Sequence, residues 1–398
     1  MHTVYRHGTF YDLLEALAQP GCAICTLVAR TRWRYLDNLA YENVNDPGVR
    51  ARIRAALGFC NRHAWYFVET VREVFGAAII YRDILHTVQR AVARGAGPHA
   101  IEPTGPCPAC EAERQAAEDA LTVLAEAFDD PDLHRAFGQS DGLCGPHLLQ
   151  AAATGRTDDR RRLVAASLER QQDDGMTPPQ ARWRAVGAPG LFPTDEQTLT
   201  GGESERAAAP SVELADPFTC PVCTAVRSDL DRIASWESLD NHVGGLCNVH
   251  AWMPPGQDCL ELYTRQITAM AQRARELAET GGKTWLPRAV RELRQRHSRA
   301  DDVSFPLSCI ACRRQAAIER SLCTLIVRPL CLPHLRRAVQ QNDLEAMAAV
   351  RSSWRDLDHL VGEYLRKEDY RFRGEPHGIE QKSPRWIVAL ISGAPGIR

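Results

Sequence analysis

Four Cys-x-x-Cys pairs and four Cys-x-x-His pairs alternate along this chain. They read CAIC (22–25), CNRH (60–63), CPAC (107–110), CGPH (144–147), CPVC (220–223), CNVH (247–250), CIAC (309–312) and CLPH (331–334). Thiolate and imidazole are the donors that Zn²⁺ takes at tetrahedral corners, and a spacing of three lets two donors leave one short turn together. Neighbouring pairs combine as CAIC–CNRH, CPAC–CGPH, CPVC–CNVH and CIAC–CLPH, each a Cys₃His set. The candidate metal ligands are therefore Cys22, Cys25, Cys60, His63, Cys107, Cys110, Cys144, His147, Cys220, Cys223, Cys247, His250, Cys309, Cys312, Cys331 and His334. The expected cofactor is Zn²⁺, about four per chain, because a structural site takes four protein ligands. An iron–sulfur cluster, which also accepts mixed Cys/His ligation, is the alternative.

Other cysteine chemistry fits less well. Three cysteines per set cannot close on themselves as disulfides. Covalent haem needs a histidine directly after the second cysteine, where Thr26, Glu111, Thr224 and Arg313 stand. A redox Cys-x-x-Cys is expected in a βαβ setting without a matching Cys-x-x-His. Cys259 and Cys323 lie outside the scheme and read as small buried apolar residues.

The ligand pairs are also a duplication. GFCNRHAW (58–65) returns as GLCNVHAW (245–252), and Cys144 is separated from Cys331 by the same 187 positions, so unlike units follow in the order A-B, A-B. The intervals from Cys-x-x-Cys to the next Cys-x-x-His hold 34, 33, 23 and 18 residues, room for one or two helices leaving a knuckle and returning. Prolines at 108, 146, 221 and 333 stiffen the knuckles. The stretches after them read as helices, whose N-termini would favour thiolate. FYDLLEALAQPG predicts a helix ending at Pro-Gly, AWYFVETVREVFGAAIIYRDILHTVQRAVARG one long or kinked helix, and NDLEAMAAVRSSWRDLDHLVGEYLRKEDYRF the last long one. No period-two run marks a strand. The fold class expected is all-α, four zinc-stapled helical units arranged as a duplicated A-B pair. Unit A1 covers 1–105, B1 106–172, A2 217–300 and B2, with the C-terminal helices, 301–398. The Pro-, Gly- and Ser-rich stretch 173–216 reads as a flexible linker.

Composition restricts the partners. With 48 basic and 50 acidic residues the net charge is −2, and three thiolates per divalent ion would bring it to about −6. That balance argues against nucleic acid as the main partner. No apolar run reaches the length of a membrane span, and the N-terminus lacks a signal peptide's apolar stretch, so a cytoplasmic protein without a membrane partner is expected.

YLDNLAYENVNDPGVRARIRAALGFCNRHAW and YLRKEDYRFRGEPHGIEQKSPRWIVALI, with the sixteen ligand positions, resemble a bacterial family of unknown function built on repeated CxxC and CxxH pairs. The resemblance implies a prokaryotic metal-binding protein and lends no activity. The Ser-Pro of EQKSPRW departs from the pattern and puts the start of the last helix in question. Beyond the ligands, Trp65 and Trp252 read as aromatics packed beside the metal, and Tyr81-Arg82-Asp83 as a salt-bridged helix face. Asp356 and His359 read as a structural pair, and the basic stretches 156–163 and 291–300 as solvated faces. No catalytic residue is assigned: a nucleophile–base set, a Gly-rich phosphate loop and a carboxylate pair are all missing. The expected function is a non-enzymatic zinc scaffold with structural sites that binds another protein. The alternative is an iron–sulfur, thiol-redox or metal-sensing protein.

Overall fold

The computed structural model describes residues 7–94, 97–154, 156–170, 175–188, 218–234, 245–252, 259–280, 309–322, 330–340, 345–372 and 374–397. The described residues are helical throughout, and their one extended pairing is an isolated bridge between Gly245 and Cys309. No helix among them is long and apolar enough to cross a membrane.

Every ligand pair opens a helix. Ala23–Asn38, Pro108–Glu126, Pro221–Ala234 and Ile310–Leu322 each begin directly after the first cysteine of a Cys-x-x-Cys. Asn61–Glu69, Gly145–Ala153, Asn248–Ala251 and Leu332–Gln340 begin directly after the cysteine of a Cys-x-x-His. The carbonyls of Cys60, Cys144, Cys247 and Cys331 accept the first helical hydrogen bonds at 2.8–2.9 Å. The leading cysteine thus occupies the cap and the second ligand lies one turn on, so both side chains leave the same side of the helix.

Other boundaries follow local chemistry. Asp46 and Asp130 cap helices that start at Pro47 and Pro131, where the missing proline N–H costs nothing. Gly8–Leu17 stops before the expected Pro-Gly. The long helix anticipated after His63 is two, Asn61–Glu69 and Val74–Ala93. Arg72 between them has φ +61°, a left-handed conformation that ends a helix, and the Glu73 carboxylate caps the next one through Gly76 N at 2.6 Å. The late helix is likewise two, Glu345–Ala349 and Arg351–Lys367. The Ser-Pro opens the last helix, Ser383–Ser392, with Pro384 in its first turn.

The stretch read as linker is not linker throughout. Thr177 and Gln180 form a capping box, and Pro178–Val186 is a helix ended by Gly187 at φ +82°. Residues 171–174 and 189–217, which hold the undescribed parts of that stretch, lie outside the described residues, as do Cys323 and the basic stretch 291–300.

Packing divides the chain into two compact units, neither a continuous segment. One holds 1–34, 111–190 and 234–312; the other holds 35–110, 191–233 and 313–398. In the first, the helix Leu260–Thr280 lies against Gly145–Ala153, Thr157–Glu169 and Pro178–Val186. It buries Leu262, Tyr263, Met270, Ala274 and Ala278, an apolar stripe at helical spacing. In the second, Val74–Ala93 lies against Arg351–Lys367 and Ser383–Ser392, burying Ala77, Tyr81, Ile84, Leu85, Val88 and Val92.

Candidate metal centres

Sixteen cysteine and histidine side chains gather into four groups, and in each group one donor atom per residue lies within 4.8 Å of the others. The groups are Cys22, Cys25, Cys144 and His147; Cys60, His63, Cys107 and Cys110; Cys220, Cys223, Cys331 and His334; and Cys247, His250, Cys309 and Cys312. All sixteen sequence candidates fall in these groups, but the pairing expected between neighbours is corrected. Each half of the chain nests one group inside the other: the first Cys-x-x-Cys meets the last Cys-x-x-His, and the two middle pairs meet each other.

The cost of that arrangement is small. Closure entropy grows only as the logarithm of loop length. In the first half the nested pairing spans 118 and 43 residues where the neighbour pairing spans 34 and 33. The difference is about 1.3 kcal/mol in the first half and about 2.4 kcal/mol in the second, and less once the inner group shortens the outer loop.

The distances suit one tetrahedral ion per group. Metal–sulfur bonds of about 2.3 Å and metal–nitrogen bonds of about 2.0–2.1 Å put sulfurs roughly 3.8 Å apart and sulfur roughly 3.5 Å from nitrogen. Cys25–Cys144, Cys223–Cys331 and Cys247–Cys312 lie 3.7 Å apart and Cys60–Cys110 3.5 Å, far beyond disulfide bonding. Each histidine turns Nδ1 to the sulfurs: His147 at 3.2–3.4 Å, His63 at 3.3–3.5 Å, His334 at 3.1–3.5 Å and His250 at 3.3–3.4 Å.

The electrostatics agree. Hydrogen bonds from Cys107 and Cys110 hold the Cys60 thiol well below its ordinary range, and Cys309 and Cys312 do the same for Cys247. Burial pushes Cys22 and Cys220 up, but contacts with Cys144 and Cys25, and with Cys223 and Cys331, pull them well below it. Burial would likewise lower the imidazoles, yet the facing sulfurs push His250 up to about 9 and His334 up to about 12. Every group is a seat for positive charge.

The four differ in their surroundings. All ligands of the Cys220 group are buried, whereas in the Cys60 and Cys247 groups only the histidine is. His334 Nε2 faces the fully buried Glu319 carboxylate at 3.3 Å, which also accepts from Gln315 Nε2 at 2.7 Å and pairs with Arg337 at 2.8 Å. Such a carboxylate fixes the imidazole proton on Nε2 and leaves the Nδ1 lone pair for the metal. Burial raises the Glu319 carboxyl, but His334, Gln315 and Arg337 more than offset this and leave it below the usual range. Sequence reading missed Glu319; its position seven residues after Cys312, two helical turns, was the available signal.

The remaining candidates resolve into structure. Trp65 is buried and donates from Nε1 to Gly393 O at 2.9 Å; Trp252 is half-buried and donates to Gly187 O at 3.0 Å. Tyr81 is buried, Arg82 pairs with Asp358 and Asp83 with Arg50 and Arg54, so that triplet faces several ways. Asp356 and His359 are exposed; the carboxylate that meets a histidine there is Asp358, 2.7 Å from His86 Nε2. In the 156–163 stretch Arg162 pairs with Asp129 and Asp159, and Arg160 is buried. Cys259 is buried.

No family model matches the chain, and no solved structure matches it. Among curated proteins, the "Uncharacterized 23.9 kDa protein in xynA 3'region" of Caldicellulosiruptor sp. (strain Rt8B.4) is 30% identical over 165 residues, covering 80% of that protein and 40% of this chain. The chain belongs to that protein's family. The member from Caldicellulosiruptor is thus little more than half the 44.3 kDa of this one and lends it no activity.

Proposed function

We propose that the chain is a non-enzymatic helical scaffold, stapled by four structural zinc ions, that works by binding another protein. The observation that carries this reading is that every group presents four protein donors at tetrahedral spacing. A catalytic zinc keeps a position open for water or substrate, whereas a closed Cys₃His set spends all four on the fold. The sixteen clustered residues are the proposed ligands. Four donors close enough to share one ion favour zinc over a multi-iron cluster, whose ligands are divided among several metals. A chain of balanced charge makes a protein the favoured partner over nucleic acid. Cysteines that approach as ligands without bonding as disulfides support a reducing, cytoplasmic setting.

Elemental analysis of the purified chain, with affinity capture from its native host, tests the reading. Four zinc per chain and a stoichiometric protein partner are expected. Iron with broad visible absorption, or captured nucleic acid in place of protein, would overturn it. One observation favours a second reading. The cysteines of the Cys60 and Cys247 groups are only half-buried, so an oxidant can reach them, and oxidation-driven release of two ions would mark a thiol sensor.

A further inference from the structure

Each compact unit contains a socket, and the two sockets repeat each other. In one unit Asn61 and Trp65, from GFCNRHAW, hold the turn after the last helix. Asn61 Nδ2 lies 2.9, 3.2 and 2.7 Å from the carbonyls of Ser392, Gly393 and Ala394, and its Oδ1 accepts from Gly396 N at 3.0 Å. Arg385 lies over the Trp65 ring, 5.6 Å from its centroid. In the other unit Asn248 and Trp252, from GLCNVHAW, hold the turn after Pro178–Val186. Asn248 Nδ2 donates to Val186 O at 2.7 Å and Ala188 O at 3.0 Å, and Arg182 lies over the Trp252 ring at 5.1 Å.

The arms that enter the sockets are also copies. Arg182-Trp183 leads to GAPG at 187–190, and Arg385-Trp386 leads to GAPG at 393–396. Gly187 and Gly393 both have positive φ, +82° and +83°, which a side chain would strain. A Cβ on Gly187 would also stand 3.3 Å from the sulfurs of Cys25 and Cys144.

Each socket holds the arm of the other half. Trp65 reaches Gly393, 328 positions away, although Gly187 of its own half is only 187 − 65 = 122 away. Helix packing repeats the exchange. Val74–Ala93 of the first half is covered by Arg351–Lys367 and Ser383–Ser392 of the second, and Leu260–Thr280 of the second by Thr157–Glu169 and Pro178–Val186 of the first. Neither half completes a unit by itself.

We propose that this chain is a homodimer written as one polypeptide, its halves each other's obligate partners, and that the half-length member of its family fills the same sockets with a second copy of itself. The masses fit, 23.9 kDa against 44.3 kDa, and the inference does not depend on which ion the cysteines hold. The peptide joining the halves then serves only to keep them at a high effective concentration.

The test inserts a protease site between residues 191 and 216 of the full, metal-loaded chain and cleaves it. Native mass spectrometry should show both fragments in one particle of the uncut mass; fragments that part, each keeping its ions, would refute the proposal. In the cleaved protein, Asn61→Ala and Asn248→Ala should each weaken association about tenfold or more, as loss of two or more hydrogen bonds implies. Unchanged association would show that the sockets do not join the halves. The Caldicellulosiruptor protein should have a native mass twice its 23.9 kDa, and a monomer would remove the second clause.

Discussion

Glu319→Gln is the sharpest probe of the metal centres, because it keeps the shape of a fully buried side chain and removes only its charge. The carboxylate touches three groups: His334 Nε2 at 3.3 Å, Gln315 at 2.7 Å and Arg337 at 2.8 Å. Loss of a carboxylate behind a ligating imidazole lowers metal affinity about 10–100-fold, which is about 1.4–2.7 kcal/mol. By contrast the Nε2 of His250 is buried without a hydrogen-bond partner among the described residues. The Cys220 group should therefore be the last to yield its ion to a chelator in the unaltered chain. In Glu319→Gln one ion of the four should move about 10–100-fold towards release, read by chelator competition with native mass spectrometry. Arg337→Leu separates the routes: it removes the ion pair and leaves the carboxylate on His334, so it should lower thermal stability with little change in release. Glu319→Gln within twofold of the unaltered chain, or Arg337→Leu matching it, would refute the argument that the carboxylate acts through the imidazole.

Three further outcomes follow from the same geometry. Cys22→Ser, His147→Ala and their double variant should each lose the same single ion, because the nested pairing puts both residues on one site; loss of two ions by the double variant would restore neighbour pairing. Asn61→Ala should destabilise the intact chain by about 3 kcal/mol and Asn248→Ala by about 2, at about 1 kcal/mol per hydrogen bond lost, in denaturant titrations that leave metal content unchanged; effects below about 0.5 kcal/mol at both would dismiss the sockets. Metal binding at pH 7 should expel protons, since in the free site His250 titrates near 9 and the Cys312 thiol is held above its ordinary range, so both are protonated at that pH. Acid must then favour release, and calorimetry in buffers of different ionisation enthalpy should show at least two protons leaving the Cys247 group.

The ligand types and the helical class were legible because each rests on local chemistry. A Cys-x-x-Cys or Cys-x-x-His marks the first turn of a helix whichever partner it meets, so all sixteen donors and the helix starts beside them could be read from spacing. Partner choice is not local. Between Cys25 and its two possible mates, Cys60 and Cys144, sequence distance differs more than threefold. That ratio is worth only about 1 kcal/mol of closure entropy. Burying the stripe of Val74–Ala93 counts for far more, since one large apolar side chain contributes about 1.5–3 kcal/mol. The helix break at Arg72 escaped for a related reason: an arginine at φ +61° is uncommon, and nothing in ETVRE announces it. Pro178–Val186 was hidden by composition, because two prolines read as linker unless the threonine before them and the glutamine after them are seen as a capping box.

Nesting and exchange have a common physical consequence. Had neighbouring pairs shared an ion, four short segments could each have closed around one metal and folded alone, as small stapled modules do. In this arrangement the inner group, Cys60 with Cys107, brings the flanking segments together, and the outer group, Cys22 with Cys144, closes across it. The helices between those ligands still expose an apolar stripe until the other half arrives. Each unit contains one inner-type and one outer-type group drawn from different halves. Metal ligation and docking of the halves are therefore linked: an ion lost from one half loosens a helix that covers the other. A structural zinc in a small peptide is worth about 10–16 kcal/mol, comparable with the whole stability of a domain. Stripping the ions should consequently unfold each unit as a whole, with the parts of both halves that build it lost in one cooperative step, and not module by module along the chain.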